Sequence, residues 1–165
     1  MIIDKLARVW YSVQEVINKM NRTIPMRESL EVEFKSDKRK LDDGDIIDAV
    51  VAFANTNGGG IYLGVENDGS ITGLHKDHRD ITRLAAFIAN NTIPPISVRA
   101  EIIEEEKPVL MIQVPRSRSI VASASGKIQR RRIRTDGEPE NIPMYPYEIS
   151  TRLSELSLLD FSAQP

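Results

Sequence analysis

The chain has 165 residues, 41% of them hydrophobic and 28% charged, the proportions of a single globular domain. It has no cysteine, which excludes a disulfide framework, a thiol nucleophile and a cysteine zinc site. No apolar run approaches the ~18–20 residues of a membrane span and the first residues lack a signal-peptide layout, so a cytoplasmic protein that makes no membrane contact is expected.

In chain order, residues 4–20 predict an amphipathic helix. Leu6, Val9, Trp10, Val13, Val16, Ile17 and Met20 recur at helical spacing, a stripe that suits either its own domain or a second subunit. Residues 21–27, with Pro25, read as a linker. Leu30 to Lys35 alternates as a half-buried strand does, placing Leu30, Val32 and Phe34 on one face and Glu31, Glu33 and Lys35 on the other. A helix follows, with Ile46, Val50 and Phe53 inward. Asp42 or Asp43 is placed to cap its start, and Gly58 is free to end it in a left-handed conformation. Ile61 to Val65 is apolar throughout, as an interior strand is, and Asn67-Asp68-Gly69 turns it back toward a short returning strand over 70–73.

A second helix is expected over 77–91, stopped by Pro94-Pro95. Residues 97–104 and 109–114 read as a hairpin with Leu110, Ile112 and Val114 on one face and Val109, Met111 and Gln113 on the other. Residues 116–125 are small and polar and read as a mobile loop. Residues 126–133 form another strand, whose charges suggest an edge or solvent-facing position. Residues 139–146 follow an extended path, and a last helix is expected over 146–156, followed by the apolar Leu158-Leu159-Asp160-Phe161.

ESLEVEFK over 28–35, a helix ending in AFANTNGGG, and IYLGVENDG over 61–69 together resemble the Schlafen AlbA-like family. The resemblance is densest over 28–74 and extends to about Pro139. It implies a nucleic-acid-binding module of prokaryotic regulatory proteins. Nuclease members of that family carry acids in an E-x4-E-F-K pattern with a third acid after the buried strand. Here Glu28 and Glu33 match the spacing, Phe34-Lys35 follows, and Glu66, or less closely Asp68, takes the third place. On this reading Glu28, Glu33 and Glu66 would hold Mg²⁺ or Mn²⁺ beside Lys35 and activate water on a phosphodiester. The plainer reading is that they are solvated strand residues, with no metal at all.

Gly58-Gly59-Gly60 is not a phosphate loop, because it follows a helix and precedes a strand and lacks the Lys-Ser/Thr pair. His75 and His78 are too few for a metal site and read as a surface loop. Asn55 and Asn57 suit either a ligand or a helix end.

The net charge of −2 argues against a polyanion partner, but its distribution argues for one. From 116 to 134 there are seven cations (Arg116, Arg118, Lys127, Arg130, Arg131, Arg132 and Arg134) and no acid, and the acids concentrate after Gly137. Arginine forks suit phosphate oxygens. With Lys38, Arg39 and Lys40 these residues form the expected phosphate-binding set, unless the later acids neutralise them. Where the family has an aromatic–Arg pair, this chain reads IQRRRIRTDG with no aromatic, which points to backbone contact rather than base stacking.

The expectation is an α/β (α+β) fold: a mixed, mainly antiparallel sheet flanked by helices, with accessory N- and C-terminal helices. Residues 1–27 would be a helix and linker, 28–139 the nucleic-acid-binding domain, and 140–165 a helical extension cut from a longer protein with a further C-terminal domain. The expected function is binding of nucleic acid, DNA before RNA, in a regulatory homo-oligomer. The alternatives are a metal-dependent endoribonuclease and an oligomerisation module that binds no nucleic acid.

Overall fold

The computed structural model describes residues 7–13 and 23–157. Residues 7–13 form a helix, α1, on which Val9, Trp10, Tyr11 and Val13 are exposed. The rest of the expected 4–20 helix and the Leu158–Phe161 segment lie outside the described residues. Among the described residues no helix is long and apolar enough to cross a membrane.

The centre is a four-stranded sheet in the order β1 (Val32–Lys35), β2 (Gly59–Leu63), β5 (Pro108–Val114), β4 (Arg99–Glu104). β1 and β2 are parallel, joined through helix α2 (Asp43–Ala54), and the other two pairings are antiparallel. The expected mixed, mainly antiparallel sheet is therefore present. α2 starts at the N-cap Asp42, whose carboxylate accepts the Gly44 N–H at 2.7 Å. It ends through Asn55, and Gly58, at φ 74°, donates its N–H back to Phe53 O at 2.9 Å. A Cβ on Gly58 would meet the Val114 carbonyl at 2.6 Å, so glycine is needed there for space as well as conformation.

α2 and helix α3 (Ile81–Asn90) pack on one face of the sheet. Ile46, Val50 and Phe53 from α2 meet Ile61, Leu63, Leu110, Ile112 and Val114 there, and Leu84 and Ile88 join from α3. Burial of this apolar surface, at about 25 cal/mol per Å², is the main favourable term. The other face carries a smaller cluster of Ile24, Phe34, Tyr62, Val65 and Val109, with Phe34 and Tyr62 in edge-to-face contact at 6.1 Å. The two faces of 109–114 divide as the alternation predicts.

Two small antiparallel ladders complete the fold. β3 (Thr92–Ile93) pairs with β6 (Ala122–Ser123), and β7 (Gln129–Ile133) pairs with β8 (Pro139–Pro143). Helix α4 (Pro146–Glu155) follows, with Tyr145 as its N-cap. The expected mobile loop at 116–125 is thus corrected: it contains β6, its Val121 is fully buried, and Ser117 N–H is tied to Ala54 O at 2.8 Å. Small polar residues there serve close backbone docking.

Candidate functional site

The expected wet face of β1 is covered. Glu33 pairs in register with Ile61, so in this parallel pair it points toward the α2 side and is only 5% exposed. Arg131 of β7 reaches over from the second ladder and is 3% exposed. Its Nη1 is ion-paired with Glu33 Oε2 and donates to Asn141 Oδ1 at 2.8 Å. Its Nε and Nη2 donate to Leu30 O and Ser29 O, each at 2.8 Å, and its guanidinium lies 4.3 Å from the Phe53 ring centroid. Lys35 Nζ takes Glu33 Oε1 at 2.7 Å. Arg131 is therefore a buried tie between sheet, helix and ladder, not a phosphate ligand. Periodicity cannot reveal this, because the acid and the base are 98 residues apart. Burial pulls the Arg131 pKa down, while Glu33 and Glu28 push it back up.

Glu28 adjoins this pair and accepts the Phe34 N–H at 2.7 Å. Burial raises its pKa, the Phe34 hydrogen bond lowers it, and the Glu33 charge raises it further. Glu66 belongs to a different network, accepting from Thr72 Oγ1 at 2.6 Å and Ser36 Oγ at 2.8 Å, with Lys38 Nζ at 3.5 Å. The Thr72 and Ser36 hydrogen bonds hold its pKa below the ordinary carboxylate value. The fold thus brings Glu28, Glu33 and Lys35 together and leaves Glu66 and Asp68 apart, where Asp68 caps the turn by accepting from Ser70 N. Glu33 sits beside Ile61 whereas Glu66 lies five residues further along the chain, beyond the end of β2. Among the described residues no group of three or more His, Asp or Glu is placed to hold a metal ion.

His78, expected in a surface loop, is buried. Its Nδ1 lies 2.9 Å from Asp37 Oδ2 and its Nε2 3.4 Å from Asp43 Oδ1. Asp37 also accepts the N–H groups of Leu41 and His75, so this cluster fastens the β1–α2 connection to the turn before α3.

The cations divide between the two ends of α2, a helix of 12 residues and so about 18 Å long. Lys38, Arg39 and Lys40 precede its N-terminus. Lys40 pairs with Asp43 at 3.2 Å, and among the described residues Arg39 is in no ion pair. Of the second set, Arg116, Arg130 and Arg131 lie near its C-terminus, where Asn55 makes the junction, whereas Lys127 pairs with Asp48 at mid-helix. Asn55 Nδ2 donates to Val121 O at 2.8 Å and Gln129 O at 2.9 Å, and its Oδ1 accepts from Val121 N at 2.8 Å. Thr56 Oγ1 accepts from Arg131 N at 2.9 Å. Asn55 is therefore structural, while Asn57 stays exposed.

A groove opens beside this junction, lined among others by Asn57, Arg116, Arg130, Arg152 and Tyr147. Arg130 Nε donates to Glu148 Oε1 at 2.7 Å, and this bond holds the Glu148 pKa low. Arg132 pairs with Glu140 at 2.6 Å, Arg134 with Asp136, and Lys127 with Asp48 at 2.7 Å. Five of the seven cations of 116–134 thus meet carboxylates, two of them from the acidic C-terminal stretch. The exposed pairs of Lys127, Arg132 and Arg134 are worth about 0–1 kcal/mol each and leave those cations available to a phosphate, the Arg130–Glu148 pair is half-buried, and Arg131 is buried and committed. Arg116 and Arg118 are exposed and, among the described residues, in no ion pair. Arg152 was not anticipated. It is 6% exposed, donates to Ser117 O at 3.0 Å, and leaves its Nε without a partner. Burial and then the nearby Arg116 charge lower its pKa.

No curated protein matches the chain in sequence. Among solved structures, the DIP2311 protein from Corynebacterium diphtheriae matches with a TM-score of 0.60 at 21% identity, over 87% of this chain and 31% of that one. The N-terminal domain of a putative ATP-dependent DNA helicase RecG-related protein from Nitrosomonas europaea matches with a TM-score of 0.39 at 22% identity, over 54% of this chain and 65% of that one. The chain thus spans about a third of the first of these proteins and shares its fold. The family model described as Schlafen, AlbA_2 matches residues 28–143, most of the chain and all eight strands, and the chain belongs to that family.

Proposed function

We propose that this chain is a nucleic-acid-binding module that holds the phosphodiester backbone, of DNA in preference to RNA, at the C-terminal end of α2. The observation that carries this reading is the convergence of Arg116, Arg130 and Arg152 on one groove, with Arg116 unpaired among the described residues. Arg118 lies two residues from Arg116 on the same exposed segment, and Lys127, Arg132 and Arg134 are held only by exposed ion pairs. Family membership supports a nucleic-acid role. The metal-nuclease alternative gains no support from the geometry, because Arg131, Lys35 and Asn141 already occupy the Glu33 carboxylate.

The test is fluorescence-anisotropy titration of short DNA and RNA at two salt concentrations. Binding is expected to weaken steeply with salt. In Arg116→Ala/Arg118→Ala it should be weaker for every sequence alike, with the salt slope reduced by about two, one for each lost phosphate contact. Unchanged affinity and slope in that variant would remove the groove as the binding site.

A further inference from the structure

Tyr147 lines this groove, and Tyr145 stands beside it. Tyr145 is the N-cap of α4 and Tyr147 lies in its first turn, with Pro146 between them. Their rings are stacked, 12° from parallel with centroids 6.2 Å apart, and yet both are open to solvent, Tyr145 at 50% and Tyr147 at 69%. At 69% exposure most of the Tyr147 surface is open to a ligand, while the half-exposed Tyr145 stands behind it. The Tyr145 backbone is fixed independently of the rings: its N–H donates to Glu148 Oε2 at 2.9 Å, and Glu148 is itself held by Arg130. The start of α4, which carries both tyrosines, and the Arg130 guanidinium are thus linked through one carboxylate.

The charges of the groove are uneven in the same place. Arg116 and Arg152 lie close enough for Arg116 to disfavour the Arg152 charge, and Glu155 approaches Arg152 only to 3.7 Å. Glu148 and Glu155 oppose three arginines there. A phosphate next to Arg116 would relieve the repulsion between like charges, and the adjoining wall is Tyr147, an aromatic face of the size of a base.

Resting on the reading that this groove takes phosphates, we propose that it is a single-strand site: Arg116 and Arg130 hold a backbone phosphate, and the neighbouring unpaired base stacks on Tyr147, which Tyr145 backs. In a duplex the bases are stacked on each other and present only their edges, so Tyr147 discriminates in favour of unpaired nucleotides. Stacking is indifferent to base identity, because every base has a π-face, and the site therefore reads strandedness rather than sequence.

The experiment uses the full chain with ten-nucleotide oligothymidylate, oligouridylate, a backbone of the same length and sugar without bases, and a hairpin duplex. Wild-type protein is expected to bind one or both based single strands more tightly than the abasic one. Tyr147→Ala should lose roughly fivefold to a hundredfold in affinity for the based strand and little for the abasic strand or the duplex. Tyr147→Phe should keep the affinity, since the ring and not the hydroxyl does the stacking. Equal binding of based and abasic strands, or an unaltered Tyr147→Ala, would overturn the single-strand inference and leave the phosphate groove standing. Failure of wild type to bind any of the four ligands would overturn both. Tyr147 is largely exposed, so an unchanged thermal melt of the variants checks that each is folded.

Discussion

Arg131→Ala separates a structural arginine from a phosphate ligand. The guanidinium is buried, is paired with the buried Glu33, and donates to two backbone carbonyls of the segment before β1. Removing it leaves Glu33 with Lys35 and Asn141 alone, takes the Arg131 donor from Leu30 O, leaves Ser29 O with the Val32 N–H only, and empties the space against Phe53. Breaking one side of a buried ion pair costs about 3–5 kcal/mol. That is a large share of the ~5–15 kcal/mol by which a domain is stable, and for a chain of this length it lowers Tm by about 6–20 °C. Arg131→Lys keeps the charge and loses the fork, so it should fall between. Glu33→Leu/Arg131→Met, which removes both charges, should recover part of the loss seen with Arg131→Ala. Urea and thermal denaturation followed by circular dichroism read these values, and anisotropy below the melting range reads binding. A destabilisation under about 1 kcal/mol, accompanied by a loss of nucleic-acid affinity, would refute the structural role and return Arg131 to the interface.

Glu28→Gln should be more favourable at pH 7 than at pH 4. The folded Glu28 pKa is raised above 4.5, chiefly by burial, so its contribution to stability is fully present below that value and is lost as the pH rises through the raised one. The amide still accepts from Phe34 N–H and no longer repels Glu33. The Tm difference from wild type should therefore grow from pH 4 to pH 7, and a difference that shrinks would contradict the sign of the shift. Asn55→Ala leaves the buried Val121 N–H without an acceptor and should cost at least about 1–3 kcal/mol. Faster exchange of the Val121 amide and its neighbours checks that the 117–121 segment is the part released.

What the sequence determined by itself is the set of elements whose causes are local. The alternation of 109–114, the helical spacing of Ile46, Val50 and Phe53, the Asp42 cap and the Gly58 exit are each set within about one turn or one strand. The structure returns them nearly residue for residue. The family was legible for the same reason, since its motifs lie within a stretch of some forty residues. The tertiary structure alone decided that neither face of β1 is wet. A strand's period of two distinguishes two faces but does not say what will cover either of them. Here the face that carries Glu33 is covered by α2 and by an arginine from a distant ladder. The charge pattern is local in the same way: it counts seven cations without an acid between them along the chain and does not say which acids meet them in space. In space Asp48, Glu140 and Glu148 come beside three of them, and Glu33 takes a fourth out of solvent. The groove is the converse case. Arg116, Arg130, Tyr147 and Arg152 come from a loop, a strand and a helix, and no spacing in the sequence announces them. They meet because Asn55 and Thr56 dock the loop and β7 on the end of α2, where buried hydrogen-bonding groups must find partners and so bring together segments far apart along the chain.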